Sequence, residues 1–446
     1  MFFQKIESKG LAHFSYLVGD DGIAFVIDPM RDIQVYIEIA NKNGLIITDI
    51  FETHRNEDYI SGALELSVHT GADIHVSGHE DLDYKFGEKI YDGDFFEFGD
   101  LLLKALHTPG HTLGHLSYIL YENNRKDPYM LFSGDSLFMG DLGRTDFYGE
   151  ENLAEMTGLL YDSIFEKTLN LGDNVLLMPA HGSGSACGSS IEDRPYSTIG
   201  YERLNNPFLQ VNSKEEFIAK FARMRIKPRY FNKVEQCNIN GAKFIGTSEK
   251  LIPFYYDEIN DDDVIIDLRS SDAFAGGHIP GAINLNLGML SSFLGTLLDS
   301  EENIILIAEK GDFQTIKTAY WYGTRIGFDN IIGFLSEGMS EFYTSANRAE
   351  VLDTIQAQDY LEIEDKIVLD VRDVNNICEI GRNENYYRIP VKALHEYYDL
   401  LEKDEEIYVI CNSGNTATAA CSFLLRMGYK ANLVLGGLKA INNLSN

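Results

Sequence analysis

The sequence predicts an α/β protein, and two features of the chain indicate this fold class. In the first half, four short apolar runs each lead to a polar side chain and a turn, which is typical of buried strands. In the second half, a pattern of strands and helices occurs twice with a spacing of about a hundred residues, which indicates two βαβ domains with parallel sheets. A chain of 446 residues is too long for one core, and we predict domains at 1–240, 246–346 and 355–446.

The composition excludes several classes of partner. The 37 basic and 69 acidic side chains give a net charge of −32, and the resulting field repels nucleic acid. Residues 1–9 lack the apolar stretch of a secretory signal, and no apolar run reaches the length of a membrane span. The five cysteines include no C-x-x-C pair, which argues against a disulfide framework and a zinc ribbon. We therefore expect a cytoplasmic protein with neither nucleic acid nor membrane as a partner.

Each apolar run of the first half precedes a side chain that can bind a metal. The runs 45–51, 101–106, 130–132 and 175–178 lead, in this order, to His54, His111, Asp135 and His181. If the runs are strands, these side chains lie on loops at strand ends, where they can converge. The segment 151–167 has apolar residues at helical spacing, which predicts a helix packed on the sheet.

Two imidazoles and one carboxylate form the central candidate site. His54, His111 and Asp135 supply the ligand set of non-haem Fe(II) oxygenases, which leaves coordination positions open. Zinc hydrolases also use nitrogen and oxygen ligands. The ligand types therefore leave both metals open.

Four motifs of this half resemble those of the metallo-β-lactamase superfamily. They are the loop 53–59, which resembles H-x-H-x-D-H, and the stretches that end at His111, Asp135 and His181. The resemblance implies an αββα sandwich. Asn56 and Tyr59 stand where the superfamily motif has imidazoles, and this points away from hydrolysis and toward single-metal chemistry.

Two further stretches, 134–138 and 143–147, resemble the persulfide dioxygenase branch of this superfamily. The resemblance implies one Fe(II) per chain, held by His54, His111 and Asp135. Zinc is the alternative metal in the protein as purified.

The same resemblance implies roles for residues around the metal. Arg144 would help hold the thiol substrate, although an arginine here can instead pair with Asp146 or Asp141 as part of the scaffold. Asp58 and His181 would orient the metal ligands rather than bind a second metal.

Cys187 lies in a segment of small residues that follows His181. This segment resembles bacterial members of the branch that are fused to sulfurtransferase domains. Two interpretations are open: a functional thiol near the substrate entrance, or inert packing.

A second candidate site lies near the end of the chain. The apolar run 407–410 leads directly into Cys411 and then a helical stretch. Backbone N–H groups at the start of a helix favour a thiolate and can hold a persulfide or a sulfur oxyanion. The loop residues expected to bind the sulfur substrate are Asn412, Ser413, Gly414, Asn415 and Thr416.

This loop, together with Asp370 and Arg372, resembles the rhodanese family, whose active loop is commonly C-x-x-G-x-R. Thr416 stands at the arginine position, which argues against thiosulfate as the sulfur donor. The middle repeat keeps a rhodanese-like stretch at 274–284, but Glu309 follows its apolar strand and no cysteine is present. We expect this repeat to be an inactive rhodanese-like spacer.

The three parts together resemble bacterial fusions of persulfide dioxygenase and sulfurtransferase that act in sulfide detoxification. The resemblance implies that O₂ oxidises the persulfide of a small thiol, such as glutathione or coenzyme A, to sulfite, and that Cys411 transfers sulfane sulfur to give thiosulfate. It also predicts a homo-oligomer. Two alternatives stay open: a thioester hydrolase of the glyoxalase II type acting on hydroxyacylglutathione, and a non-enzymatic persulfide carrier or sensor.

Overall fold

The computed structural model of the chain describes residues 1–122, 127–188, 190–374 and 376–444. The chain forms two compact units. Unit 1 comprises Met1–Met224 and Phe231–Thr247, and unit 2 comprises Arg225–Tyr230 and Ser248–Asn446.

Unit 1 contains two six-stranded sheets. The first has its strands in chain order and is antiparallel from β1 to β3 and parallel from β3 to β6. Its strands are β1 (Phe2–Ser8), β2 (His13–Asp20), β3 (Ile23–Ile27), β4 (Ile46–Phe51), β5 (Asp73–Ser77) and β6 (Glu88–Ile90). The strands of the second sheet are β7 (Phe95–Phe98), β8 (Leu101–His107), β9 (Leu116–Glu122), β10 (Met130–Gly134), β11 (Leu176–Pro179) and β12 (Ser197–Thr198). They also lie in chain order, and β10 and β11 are the parallel pair.

Helices cover the outer faces of both sheets in unit 1. The helices are α1 (Gln34–Lys42), α2 (Ala63–Thr70), α3 (Leu153–Asp162), α4 (Ile199–Asn205), α5 (Lys214–Phe221) and α6 (Phe231–Asn240). Tyr36 of α1 and Leu66 of α2 pack on the first sheet, and Leu160 of α3 packs on the second. The helix predicted over 151–167 is present as α3, continued by a wider helical turn at Ser163–Lys167.

The main core of unit 1 lies between the two sheets. Phe25 and Phe51 from the first sheet face Tyr118 and Phe132 from the second, and the rings of Phe51 and Tyr118 have centroids 5.2 Å apart. Burial of each such ring contributes about 1.5–3 kcal/mol. The predicted αββα sandwich is confirmed.

The loops after β4, β8, β10 and β11 carry the candidate metal ligands to one edge of this sandwich. Backbone hydrogen bonds tie them together: Leu116 N–H donates to Thr53 O over 2.7 Å, and Ala180 N–H donates to Gly134 O over 3.0 Å. Gly134 has φ +52°, and a Cβ there would lie 2.5 Å from His115 Nε2. Only glycine fits this turn, because a side chain would be both strained and obstructed.

Unit 2 contains two sheets built from the two halves of the predicted repeat. The first half forms β13 (Ile252–Phe254), β14 (Val264–Asp267), β15 (Ile283–Asn284), β16 (Ile304–Ile307) and β17 (Ile331–Leu335), with helices α7 (Ser271–Gly276), α8 (Leu287–Leu297), α9 (Phe313–Arg325) and α10 (Met339–Thr344). The second half forms β18 (Thr354–Ile355), β19 (Ile367–Asp370), β20 (Gly381–Asn383), β21 (Tyr386–Arg388), β22 (Glu406–Ile410) and β23 (Lys430–Val434), with helices α11 (Ala357–Leu361), α12 (Val391–Tyr397), α13 (Asn415–Arg426) and α14 (Gly437–Leu444).

The two sheets of unit 2 have the same strand order. The order β13-β17-β16-β14-β15 corresponds to β18-β23-β22-β19-β21, and the second sheet adds β20 as an antiparallel edge strand. The other strand pairs of both sheets are parallel. The predicted α/β repeat with parallel sheets is therefore confirmed, and the limits 246–346 and 355–446 stay a prediction.

The segment 214–246, whose sequence suggests one helix and a linker, has more structure than expected. It forms α5 and α6, and Phe231–Thr247 belongs to unit 1 while Arg225–Tyr230 belongs to unit 2. Among the described residues, no helix has both the length and the hydrophobicity to cross a bilayer.

Candidate functional site

Four side chains meet in the interior of unit 1. His54, Glu57, His111 and Asp135 are buried, and one ligand-capable atom from each lies within 4.8 Å of the others. His111 Nε2 is 3.1 Å from Glu57 Oε1 and 3.5 Å from Asp135 Oδ2. His54 Nε2 is 4.0 Å from Asp135 Oδ2. The structure thus brings together the three ligands predicted from sequence, and it adds Glu57.

Hydrogen bonds on the far sides of the imidazoles set their orientation. His54 Nδ1 is 2.9 Å from Thr53 Oγ1, and His111 Nδ1 is 2.8 Å from the backbone oxygen of Arg144. Because a carbonyl only accepts, His111 Nδ1 carries a proton. Outer partners of this kind orient imidazoles for metal binding.

The unpartnered polar atoms in the cluster fit a bound cation. Glu57 Oε2, His111 Nε2 and Asp135 Oδ2 are buried without a hydrogen-bond partner in the described part of the chain. Burial of such atoms is costly unless something else satisfies them. A divalent metal would do so, and nitrogen with carboxylate oxygen is a suitable donor set for iron or zinc.

The pKa shifts of His54 and Asp135 suit a metal, whereas Glu57 and Asp135 outweigh burial at His111 and raise its pKa. Burial lowers the pKa of the His54 imidazole well below its usual value. Burial alone would raise the pKa of Asp135, but the charges of His181, His111 and His54 outweigh it and hold that pKa below its usual value. Neutral imidazole and ionised carboxylate are the forms that bind metals.

A second group lies beside the first and comprises Asp58, His181 and Cys187, with ligand-capable atoms within 4.8 Å of one another. His181 Nδ1 is 2.7 Å from Asp135 Oδ1, and His181 Nε2 is 2.9 Å from Asp58 Oδ2. Burial would lower the pKa of His181, but Asp135 and Asp58 outweigh burial and raise that pKa well above its usual value. His181 therefore links the two carboxylates, and its role in orienting the metal ligands stays a prediction.

Asn56 and Tyr59, at the two imidazole positions of the superfamily motif, belong to the packing of the loop. Asn56 Nδ2 donates to Glu52 Oε2 over 3.3 Å. The Tyr59 ring is fully buried and tilted against the His13 ring, with ring centroids 4.0 Å apart.

Cys187 lies at the edge of the first group. Its thiol donates to Glu57 Oε1 over 3.5 Å. Burial raises the pKa of Cys187 well above its usual value, and nearby Asp58 acts in the same direction. The thiol form of Cys187 is therefore favoured over the thiolate.

Arg144 is buried and pairs with Asp146. Its Nε and Nη2 donate to the two carboxylate oxygens over 2.7 and 2.8 Å. Its backbone N–H donates to Cys187 O over 3.2 Å. Of the two scaffold partners considered from the sequence, Asp146 is the one in bidentate contact, while the Asp141 carboxylate accepts from the N–H groups of Leu142 and Ser190.

Three residues near the site escaped prediction from the sequence. Glu57 occupies a variable position of the motif, so the motif gives it no role. Burial lowers the pKa of His115 to about 3, so its imidazole is neutral. Its Nε2 accepts a hydrogen bond from Asp135 N–H over 3.0 Å. Its position shortly after His111 in the sequence could have indicated that it lies near the site. Asn238 contacts the loop 53–59 from α6, and nothing local in the sequence could have revealed this contact.

Cys411 lies at the end of β22 in unit 2, and its side chain is buried. Gly414 N–H donates to Cys411 Sγ over 3.0 Å, and α13 begins at Asn415. Asn412 and Ser413 are exposed. The loop thus forms the predicted turn at the start of a helix, with one backbone N–H directed at sulfur.

The remaining positions around this loop lie as follows. Asn415 is exposed and Thr416 is half-buried. Arg372 pairs with Asp370 through Nε and Nη2, at 2.9 and 2.6 Å. In the middle repeat, Ala308 and Glu309 follow β16, so that repeat has no thiol at the equivalent place.

Comparison with known proteins identifies the families of both units. Residues 9–181 match the model of the metallo-beta-lactamase superfamily, and residues 254–345 and 348–444 match that of the rhodanese-like domain. A crystal structure of a metallo-beta-lactamase from Staphylococcus aureus subsp. aureus COL has a TM-score of 0.67 and 34% identity, covering 75% of this chain and 98% of that one.

Two curated relatives of the first half differ in activity. Hydroxyacylglutathione hydrolase GloC of Haemophilus influenzae is 30% identical over 220 residues, which are 45% of this chain and 92% of that protein. The mitochondrial persulfide dioxygenase ETHE1 of Homo sapiens is 33% identical over 217 residues, which are 46% of this chain and 74% of that protein. The chain thus belongs to the metallo-β-lactamase superfamily and continues into two rhodanese-like domains, families that indicate an enzyme.

Proposed function

We propose that the chain is a persulfide dioxygenase with sulfurtransferase activity that acts in sulfide detoxification. One observation carries this proposal: unit 1 has a buried cluster of two imidazoles and carboxylates, while Asn56 and Tyr59 stand where the superfamily motif has imidazoles. A single metal with open positions suits O₂ chemistry. The rhodanese-like loop of unit 2 then provides a thiol for sulfur transfer.

The proposed metal is one Fe(II) per chain, held by His54, His111 and Asp135. Iron bound there would supply the redox chemistry by which O₂ reacts with a persulfide. The persulfide S–S bond breaks, its terminal sulfur is oxidised to sulfite, O₂ is reduced, and water supplies the third oxygen atom. The thiol carrier, glutathione, coenzyme A or a similar small thiol, is released with a proton on its sulfur.

Residues of this chain would hold the persulfide substrate and exclude water from it. The buried cluster keeps bulk water away from the reacting sulfur, and the Asp146 carboxylate fixes the Arg144 guanidinium in one orientation near Glu57 and Cys187. We propose that Arg144 and Cys187 line the substrate side of the metal, with Asp58 and His181 behind Asp135.

Cys411 would perform the second step. Its thiolate attacks the sulfane sulfur of a second persulfide, whose S–S bond breaks as the carrier thiol leaves. Sulfite then attacks the outer sulfur on Cys411, and thiosulfate leaves as the thiolate is restored. Gly414 N–H, 3.0 Å from the sulfur, would stabilise the negative charge, and Asn412, Ser413, Asn415 and Thr416 would line the entrance.

The relation to the H. influenzae hydrolase supports a second candidate, thioester hydrolysis of the glyoxalase II type. Such a reaction needs a metal-activated water, usually from two metals. A second metal would have to bind at the second group, which comprises Asp58, His181 and Cys187. This group has fewer imidazoles than the superfamily motif provides, which argues against the hydrolase.

The first prediction tests both steps together. After anaerobic loading with Fe(II), the wild type should consume O₂ with a thiol persulfide and form thiosulfate. The variant His54→Ala should lose O₂ uptake, and Cys411→Ser should consume O₂ but accumulate sulfite. O₂ uptake and chromatographic analysis of sulfite and thiosulfate measure these outcomes.

The exposed Cys378 of the same domain provides the control, since Cys378→Ser should behave as wild type. Unchanged thiosulfate from Cys411→Ser would refute the relay. Binding of about two zinc equivalents, with thioester cleavage and no O₂ uptake, would establish the hydrolase instead. Persulfide binding with no turnover in wild type would favour a carrier or sensor.

A further inference from the structure

The loop after β4 presents two consecutive carboxylates to two different groups. Asp58 is directed at His181, with 2.9 Å between Oδ2 and Nε2. Glu57 is directed at the other group, with its oxygens 3.1 Å from His111 Nε2 and 3.8 Å from His54 Nε2. The loop that has lost two imidazoles therefore delivers an additional carboxylate to the first group.

Glu57 is buried in a way that scaffolding does not explain. Its side chain is about 1% exposed, and its Oε2 has no hydrogen-bond partner among the residues that the structure describes. The weak thiol hydrogen bond from Cys187 reaches only Oε1. An ionised carboxylate is costly to bury without a cation or full hydrogen bonding, whereas a metal beside His54, His111 and Asp135 would satisfy it.

We propose that Glu57 is a fourth protein ligand of the metal held by His54, His111 and Asp135. This inference rests on the metal centre proposed above and adds a residue to it. The centre then has two imidazole nitrogens and two carboxylate oxygens.

The additional ligand has a consequence for metal choice and reaction. A tetrahedral zinc with four protein ligands has no position left for water, as in structural zinc sites. A six-coordinate ion held by these four side chains would keep two positions open, and iron there could supply redox chemistry with O₂. Ligation by Glu57 therefore favours dioxygenation over hydrolysis at the same cluster.

The second prediction concerns metal affinity of the full-length chain. Glu57→Gln keeps the size of the side chain but removes its charge, and it should weaken Fe(II) and Co(II) binding by more than about tenfold, the lower bound for loss of even an outer partner. Glu57→Asp, with a shorter reach, should fall between Gln and wild type. Anaerobic competition with a chelator measures the affinities, and the visible absorption spectrum of the Co(II) form reports the ligand set.

The exposed Glu88 on β6 supplies the control, since Glu88→Gln should match wild type in both measurements. An unchanged affinity in Glu57→Gln, or a lower affinity with an unchanged Co(II) spectrum, would overturn ligation by Glu57. If the wild type binds no metal, both ligation by Glu57 and the proposed metal centre are wrong. If Glu57→Gln behaves as predicted but the iron form of the wild type takes up no O₂, only the proposed function fails.

Discussion

Thr53 links a buried carboxylate to the metal cluster. Its N–H and hydroxyl donate to Asp28 Oδ1 and Oδ2 over 2.7 and 2.8 Å. Because the hydroxyl hydrogen is used on Asp28, the contact with His54 Nδ1 at 2.9 Å has the imidazole as donor. His54 then carries its proton on Nδ1 and offers Nε2 to the cluster, so one hydroxyl decides which nitrogen can bind a metal.

The third prediction removes that hydroxyl. Thr53→Val keeps the shape of the side chain, but His54 Nδ1 and Asp28 Oδ2 each lose a partner, and metal affinity should fall by about 10–100-fold. Burial raises the pKa of Asp28 to about 7, so the measurement belongs at pH 8, where Asp28 is mostly ionised. Thr48 lies on β4, the strand that precedes this loop, and among the described residues its hydroxyl bonds only the backbone of β3, so Thr48→Val should keep the wild-type affinity. Equal affinities in the two variants would show that Thr53 does not orient the ligand.

Helix α6 holds the loop 53–59 from a distant part of the chain. Asn238 Nδ2 donates to Asn56 O over 2.7 Å and to Tyr59 O over 2.9 Å, and its Oδ1 accepts from Ser61 N–H over 2.9 Å. One amide thus satisfies two backbone groups of the loop 53–59, which has no regular secondary structure, and a third just after it. Such a loop keeps its shape only when its backbone polar groups have partners.

The fourth prediction tests this contact. Asn238→Ala leaves buried backbone groups unsatisfied and should lower the free energy of unfolding of unit 1 by about 1–3 kcal/mol, with a loss of metal affinity as the loop relaxes. Urea denaturation and chelator competition measure the two effects. Asn240 lies on the same helix, is exposed and bonds only Gln236, so Asn240→Ala should leave both unchanged. A stable Asn238→Ala variant with normal affinity would contradict a role for α6 at the site.

At the scale of the whole chain, the middle repeat supports the helix that follows the cysteine loop. Within unit 2, α8 packs against α12, and α13 packs against α7 and β15. Asn284 N–H on β15 donates to Ser422 Oγ on α13 over 3.1 Å. The repeat without a cysteine therefore forms part of the packing around α13. Because the two halves of unit 2 pack against each other in this way, we expect them to unfold together.

The fifth prediction separates the two units by calorimetry. A metal that binds only the folded site stabilises it by about 2.7 kcal/mol at a hundredfold excess over Kd, so Fe(II) or Co(II) should raise only the transition of unit 1. Leu294→Ala removes a side chain of α8 that is 1% exposed and should lower only the transition of unit 2, by about 2–5 kcal/mol. Leu400→Ala, at a half-exposed position, should change little. A single transition that moves with both metal and Leu294→Ala would refute independent units.

Local sequence patterns were sufficient for the fold class and for much of the site. Runs of alternating or continuous apolar residues predict the strands β4, β8, β10 and β11, since burial of one or both sheet faces requires them. The repeat predicts two similar sheets, because equal patterns of apolar residues fold alike. His54, His111 and Asp135 could be identified as candidates because each lies in the loop that follows such a strand.

Contacts between distant segments could not be read in this way. Asn238 reaches the loop 53–59 across 182 residues, and the direction of Glu57 depends on how β4, β8 and β10 bring their loops together. Neither the contact of Asn238 nor the direction of Glu57 produces a periodic pattern in the sequence. Each depends on one side chain, whose position is set by packing and hydrogen bonding in three dimensions. The local sequence pattern therefore determines the strands, the helices and the residues that are available for chemistry. The tertiary structure decides which of these residues come together in the buried site, because that depends on contacts between distant segments.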